Sequence, residues 1–423
     1  MNYSKLYLKP EKEESLLRFH PWVFSGAVAS MKDRDRGRPV RTNTEDLTDP
    51  IHGRPVRTEG VPTEGDTVEV YSAEKQFLGV GHYQNGSIMV RILSFTPVEI
   101  NVSFWAEHIR QAYELRCALG LVVFGKNDTY RLIHGEGDFL SGLIIDMYAH
   151  TAVIQAHSAG MHYARKDIAK ALCEVLGKNL HRIYYKSEGT LPYKAYLGEE
   201  NEYMYGDEHD ESHIATENGL KFHIDWLKGQ KTGFFIDQRE NRSLLQQYAR
   251  NRTVLNMFCY TGSFSVYALQ GGASLVHSVD SSAKAIALTN ENVALNFPAE
   301  TRHQAFVEDA FRFMENREEK YDLIVLDPPA FAKHKEVLRN ALQGYRKLNA
   351  IAFRKIQAGG IIFTFSCSQI VSKNDFRLAV FSAAAQSGRA VRILHQLTQP
   401  VDHPINIYHP EGEYLKGLVL QVE

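Results

Sequence analysis

The chain has 423 residues, 44% hydrophobic and 23% charged, with a net charge of −2. That length suits two or three domains, and the charge allows nucleic-acid binding only through a local basic patch. No apolar run or apolar N-terminal leader predicts a membrane span or secretory signal, and the scattered Cys117, Cys173, Cys259 and Cys367 argue for a reducing cytoplasm and against a metal site or disulfide framework.

Residues 1–95 predict a small β-rich module. A helix over 11–18 precedes strand-like segments at 22–26, 66–71 and 87–93, punctuated by Gly79, Gly81 and Gly86. A polar insertion at about 32–64 contains a direct repeat, Gly37-Arg38-Pro39-Val40-Arg41-Thr42 and Gly53-Arg54-Pro55-Val56-Arg57-Thr58. Two copies are too few for a stacked solenoid, so a solvated, mobile loop is expected. Residues 96–210 predict a small α+β domain, with a helix over 104–119, a hairpin over 142–148 and 151–155, a helix over 163–176, a strand over 182–185 and an acidic linker over 198–211. From 211 to 423 strands and helices alternate, the mark of a doubly wound sheet. The expected strands are 254–257, 275–279, 323–326, 361–365 and 415–421. The expected helices are 237–248, 282–296 and 335–356, the last closed by Gly359-Gly360.

The first of these strands runs into Asn256-Met257-Phe258-Cys259-Tyr260-Thr261-Gly262-Ser263-Phe264. A strand, a tight glycine turn and a helix N-terminus present backbone N–H groups to a nucleotide or amino acid. Only Gly262 of a GxGxxG pattern is present, so adenosine without a pyrophosphate is favoured. The next strand ends at Asp280, where an acid accepts from ribose hydroxyls. Asp309 in the third unit is placed to accept from an adenine amino group. This series suits S-adenosylmethionine, with S-adenosylhomocysteine as product. Taken singly, Asp280 and Asp309 read equally as helix caps, and Cys259 as a packing residue.

Two later strands end on chemistry. Leu323-Ile324-Val325-Leu326 leads to Asp327-Pro328-Pro329, and Thr364-Phe365-Ser366 leads to Cys367. Ligands of open α/β sheets sit at such carboxyl tips, so one carboxylate and one thiol should face the same crevice. That pair suits covalent chemistry on a pyrimidine ring.

Several segments together resemble the bacterial RlmI-type large-subunit ribosomal RNA methyltransferases. They are Lys231-Thr232-Gly233-Phe234-Phe235-Ile236-Asp237-Gln238-Arg239, Asn256 to Gly262, Asp327-Pro328-Pro329-Ala330-Phe331, Gly344-Tyr345, Phe365-Ser366-Cys367-Ser368, Asp402-His403-Pro404 and Pro410-Glu411-Gly412-Glu413-Tyr414-Leu415-Lys416-Gly417. The stretch from Ser15 to Gly26 is similar to the opening of that family's PUA domain, an RNA-binding β-barrel. The resemblance covers the chain apart from the repeat-bearing loop. It implies a PUA barrel, a central α+β domain and a C-terminal class I Rossmann-like methyltransferase that uses S-adenosylmethionine. It also implies a homodimer and methylation of carbon 5 of a cytosine in large-subunit ribosomal RNA.

On that reading Asn256, Phe258, Tyr260, Gly262, Asp280, Asp309 and Asp327 serve the cofactor. Cys367 adds to carbon 6 of the base, making carbon 5 nucleophilic. Asp327 holds the base at N3 and its amino group, where charge develops. Pro328, Pro329 and Phe331 frame a base drawn out of its stack. Lys231 and Arg239 close over the cofactor or the RNA, although Asp237 as a helix cap and Arg239 on the surface is the plainer reading. Arg18, His20 and Trp22 are available for RNA contact, with Trp22 also suited to a core. One departure stands out. Two-cysteine RNA cytosine methyltransferases carry a second Cys where this chain has Ala330, so the group that removes the carbon-5 proton is not identified. Two alternatives stay open: a thiol-independent base N-methyltransferase acting on guanine, and a non-catalytic RNA-binding protein that holds S-adenosylmethionine, with Cys367 merely ending a strand.

Overall fold

A computed structural model of the protein describes residues 3–29, 62–192, 201–207, 213–332 and 334–423. Both copies of the repeated loop sequence lie outside them. The first sheet has the strand order Ser4–Tyr7, Thr67–Tyr71, Phe77–Tyr83, Ile88–Ser94, Trp22–Phe24. Strand alternation is visible in Thr67–Tyr71, where Val68 and Val70 are buried between partly exposed neighbours. The expected N-terminal helix is a single turn, Glu14–Leu17.

The central sheet runs Glu202–Tyr205, Arg182–Tyr185, Thr151–Ala156, Leu143–Tyr148, Thr129–His134. Its period-two alternation serves two cores. Leu143, Ile145, Ala152, Ile154 and Ile183 pack with the helices Val102–Ala118 and Ala159–Leu176. Tyr148, Val153 and Tyr184 point the other way, into a core shared with the C-terminal half. The acidic stretch read as a linker is partly an edge strand: Glu202–Tyr205 pairs antiparallel with Arg182–Tyr185. A charged, exposed residue is tolerated on an edge, so its polarity disguised it.

A hairpin, Ile214–Glu217 and Leu220–His223, follows. Its turn is Asn218-Gly219, both with positive φ (51° and 82°), the left-handed pair that two-residue hairpins favour. The Asn-Gly pair is the sequence signal for this hairpin.

The C-terminal sheet has seven strands: β1 Thr253–Met257, β2 Leu275–Asp280, β3 His303–Val307, β4 Tyr321–Leu326, β5 Ile356–Ser366, β6 Val391–Leu397 and β7 Lys416–Val422. Their order is β3-β2-β1-β4-β5-β7-β6. The pairings from β3 through β5 are parallel, and β7 runs antiparallel to both its neighbours. Alternate residues of the inner strands feed separate cores: Val254, Leu323, Val325 and Phe363 on one face, Leu255, Met257, Ile324, Leu326 and Ile362 on the other. Burial on both faces is why these strands read as continuous apolar runs. The long helix Leu338–Lys355 passes directly into β5, so Gly359-Gly360 lies within that strand rather than after a helix end, and the pairing of β5 with β4 shifts register between Tyr321 and Leu323 of β4. The chain reverses direction of winding between β1 and β4, which marks the crevice for ligands.

Candidate active site

A cavity of about 440 Å³ opens at the carboxyl tips of β1, β2, β4 and β5. Its wall includes Phe258 and Tyr260 after β1, Asp280 at the end of β2, Asp327, Pro328 and Pro329 after β4, and Cys367 after β5. The register pairs Leu326 with Thr364, so the acid and the thiol leave adjacent parallel strands. Lys231, Phe235, Asp237 and Gln238 close the wall from the segment that precedes β1.

The β1 loop is held in an unusual path. Phe258, Tyr260 and Gly262 all have positive φ, at 57°, 47° and 73°. A Cβ on Gly262 would lie 2.4 Å from the Thr289 methyl carbon, so the third of these positions requires glycine on space as well as on φ. Asp280 fixes the loop by accepting from the Tyr260 N–H (3.0 Å) and the Ser282 N–H (2.9 Å). Each carboxylate oxygen keeps acceptor capacity beside the cavity. A half-buried carboxylate beside a phosphate-free glycine turn matches the ribose of an adenosine ligand.

The other end of the cavity is set by β4, β5 and the 231–239 segment. The Gln238 side-chain amide donates to Asp327 Oδ2 at 3.0 Å. Burial, and then the neighbouring charge of Asp237, push the Asp327 carboxyl up to about 7. Burial and the Asp327 charge push the Cys367 thiol up to about 11. Asp237 behaves oppositely: burial works against its charge, but Lys231, His403 and the Tyr414 hydroxyl outweigh it and hold the carboxyl below its usual range. Tyr414 OH donates to Asp237 Oδ2 at 2.8 Å, while Asp237 Oδ1 is buried without a partner. The turn carrying Cys367 is braced on both sides. Ser366 Oγ donates to Tyr345 OH (2.9 Å), Ser368 Oγ donates to the Ala332 carbonyl (2.7 Å), and Lys416 Nζ donates to the Ser368 carbonyl.

The family profile described as S-adenosylmethionine-dependent methyltransferase matches residues 191–409, and the PUA-like profile matches 6–47 and 55–95. Ribosomal RNA large subunit methyltransferase I of Tolumonas auensis is 37% identical over 98% of both chains. The Escherichia coli protein of the same name is 35% identical over 99% of both. The chain belongs to this methyltransferase family. A solved Streptococcus mutans structure described as a SAM-dependent methyltransferase shares the fold, with a TM-score of 0.79 at 23% identity over 99% of this chain and 100% of that one. The methyltransferase SMU.776, solved with SAH, gives a TM-score of 0.80 over the same shares at the same identity. The enzyme is therefore an S-adenosylmethionine-dependent methyltransferase, with the wound sheet expected of it.

Within this methyltransferase, not every expected site residue reaches the cavity wall. Asp309 caps the helix Ala310–Asn316, accepting from the N–H groups of Phe311 (3.1 Å) and Arg312 (3.0 Å). Asn256 is buried under the loop and donates to Ser265 Oγ at 2.9 Å. Phe331 packs on Tyr345, with ring centroids 4.7 Å apart, and Gly344 leaves room for it. Arg239 is neither on the surface nor in the wall: it is buried in a two-bonded pair with Asp402, at 2.8 Å each. Asp237 is not a helix cap: it lies inside the short turn Ile236–Gln238, and Gln238 holds the cap position of the helix Arg239–Tyr248 without a side-chain cap bond. Trp22 joins the N-terminal sheet to the central domain, its Nε1–H donating to Glu136 at 2.9 Å. Sequence reasoning missed Asp225, which faces the cavity and pairs with Lys284 at 2.6 Å. No motif marked it. It read His20 as a candidate RNA contact and Glu411 only within a motif, and missed that both meet His409, their ligand atoms within 4.8 Å of one another although they come from opposite ends of the chain.

Proposed function

We propose that this enzyme methylates carbon 5 of a cytosine in large-subunit ribosomal RNA through a covalent bond from Cys367 to carbon 6. The observation that carries this reading is the shared cavity, in which a thiol and a carboxylate lie beside an acid suited to adenosine. S-adenosylmethionine, when bound, supplies an electrophilic methyl group. Asp280 and the β1 loop would hold its adenosine. Asp327, with a proton affinity near neutral pH, can hold a proton toward N3 of the base. Its neutral form also lifts the charge that opposes the Cys367 thiolate. The Pro328-Pro329 backbone gives the base a rigid edge.

RNA as the substrate is supported by the names of the relatives, the PUA-like match, and Lys228 and Lys231, exposed at the cavity wall. We read residues 1–95 as the RNA-binding part, 96–210 as the central support and 211–423 as the catalytic part, working in the cytoplasm. A homodimer is supported by an apolar surface: Leu378 and Phe381 on the helix Lys373–Ser387 are 60% and 66% exposed, and Ile393 and Leu394 are exposed on the edge strand β6.

The test is large-subunit ribosomal RNA containing 5-fluorocytosine, incubated with the enzyme and S-adenosylmethionine. We expect a protein–RNA band that survives denaturation and is absent with Cys367→Ala. Cys367→Ala should lose methyl transfer while binding S-adenosylhomocysteine normally. Unchanged transfer by Cys367→Ala would reject the thiol route and favour methylation of a base nitrogen.

A further inference from the structure

We infer that Asp237 is the catalytic base that takes the proton from carbon 5 of the methylated cytosine and so releases Cys367 from the ring. The inference rests on the cytosine-5 reading above and supplies the step that Ala330 leaves without a second cysteine.

Four carboxylates line the cavity among the described residues: Asp225, Asp237, Asp280 and Asp327. Three are engaged elsewhere. Asp225 holds Lys284 (2.6 Å) and the Lys228 N–H (2.8 Å). Asp280 holds the N–H groups of Tyr260 and Ser282 at the adenosine end. Asp327 holds Gln238 and is assigned to the base edge. Asp237 is 5% exposed, and its Oδ1 makes no hydrogen bond. A buried carboxylate oxygen without a partner carries a desolvation penalty, and such a group in a folded chain calls for a functional explanation.

The rest of Asp237 is fixed. Tyr414 OH holds Oδ2 at 2.8 Å, and Lys231 Nζ stands 3.9 Å from the same oxygen. One oxygen is anchored and the other has no hydrogen-bond partner, which leaves it able to accept a proton. Asp237 and Asp327 also share one wall, and the Asp237 charge helps to raise the Asp327 carboxyl. The result is an acid held charged beside an acid that readily keeps its proton, the division that marks a base and its proton-donating partner.

The step balances without another reactant. After methyl transfer, carbon 5 carries both a hydrogen and the new methyl group, and carbon 6 carries the sulfur. Asp237 Oδ1 takes the hydrogen as a proton. The electron pair of that C–H bond re-forms the double bond between carbons 5 and 6, and the carbon 6–sulfur pair leaves with Cys367 as thiolate. The proton then passes from Asp237 to solvent.

The experiment uses the full-length enzyme, large-subunit ribosomal RNA transcribed with tritium at cytosine carbon 5, and S-adenosylmethionine with a radiolabelled methyl group. The wild type should release one tritium for each methyl transferred. Asp237→Asn should transfer about one methyl per enzyme, then stall, with tritium release slowed by at least about 100-fold. Its methylated RNA should stay bound through Cys367 on a denaturing gel, while S-adenosylhomocysteine affinity stays within about threefold of wild type. Asp237→Glu, which moves the carboxylate but keeps it, carries the test should the Asn variant not fold: methyl transfer should then outpace tritium release. Tritium release that keeps step with methyl transfer in these variants would overturn the assignment, as would loss of cofactor binding in a folded variant. A wild type that methylates RNA without releasing tritium would instead sink the cytosine-5 reading itself.

Discussion

Asp327 binds its proton more tightly in the folded chain than an ordinary carboxyl does, and that has a measurable sign. Its carboxyl sits near pH 7 when folded against 3.8 for the ordinary group. Between those values the folded state holds more protons than the unfolded chain, so stability falls as pH rises from about 4 to about 7 and is level above. Asp327→Asn removes that dependence while keeping an oxygen to accept from Gln238. We expect the variant to be more stable than wild type at pH 8, by up to about 4 kcal/mol, and equal to it near pH 4. Thermal midpoints across that range check this, and a difference that does not change with pH would refute it. Asp327, Cys367 and Asp280 were legible because each follows an apolar run, and a strand tip fixes the address of its residue. Asp309 and Arg239 were not. Whether an Asp caps or binds, and whether an Arg is exposed or paired, is settled by partners such as Asp402, which lies 163 residues along the chain from Arg239.

The β1 loop and the helix that follows it, Ser263–Gln270, form the element most sensitive to a single atom. Two non-glycine residues with positive φ persist there because the surroundings hold them. Tyr260 N–H bonds Asp280, the Thr289 hydroxyl donates to the Tyr260 carbonyl (2.9 Å), and Asn292 donates to the Thr261 carbonyl (2.9 Å). Gly262→Ala adds a carbon against the Thr289 methyl group and strains a left-handed residue. We expect it to weaken S-adenosylhomocysteine binding by roughly tenfold or more, about 1.4 kcal/mol. Gly262→Ala with Thr289→Ser removes the obstructing methyl, keeps the hydroxyl and should recover part of the loss in calorimetric titration. No recovery would mean that φ alone sets the requirement. Glycine in this turn was readable from sequence, as were the inner strands. The strand Val391–Leu397 was not, because it lies on the sheet edge with mostly exposed residues and never forms an apolar run.

At the scale of the whole molecule, the central domain holds the 231–239 wall of the cavity in place. The segment that brings Lys231, Asp237 and Gln238 to the cavity is pinned at both ends to buried partners. Thr232 Oγ1 donates to Asp146 in the central sheet (2.6 Å), and Arg239 grips Asp402. Asp402 is itself tied to the central domain: its carboxylate accepts from the Arg131 N–H (2.9 Å), and its carbonyl accepts from Arg116 (2.9 Å), which also pairs with Asp138. Asp402-His403-Pro404 was visible as a motif, but its role as a strut depends on Arg116 and Arg131, nearly 300 residues earlier. Asp402→Ala would strand the buried Arg239 guanidinium, and breaking such a pair from one side costs roughly 3–5 kcal/mol. We expect that loss in thermal or denaturant unfolding, together with weaker S-adenosylhomocysteine binding as the 231–239 wall loosens. Arg239→Met with Asp402→Leu removes the stranded charge and should restore part of the stability. It should not restore cofactor affinity, because the Arg131 N–H still lacks its acceptor and the wall its anchor. Full recovery of both would show that packing alone positions the segment, whereas recovery of stability without affinity ties the central domain directly to the catalytic cavity.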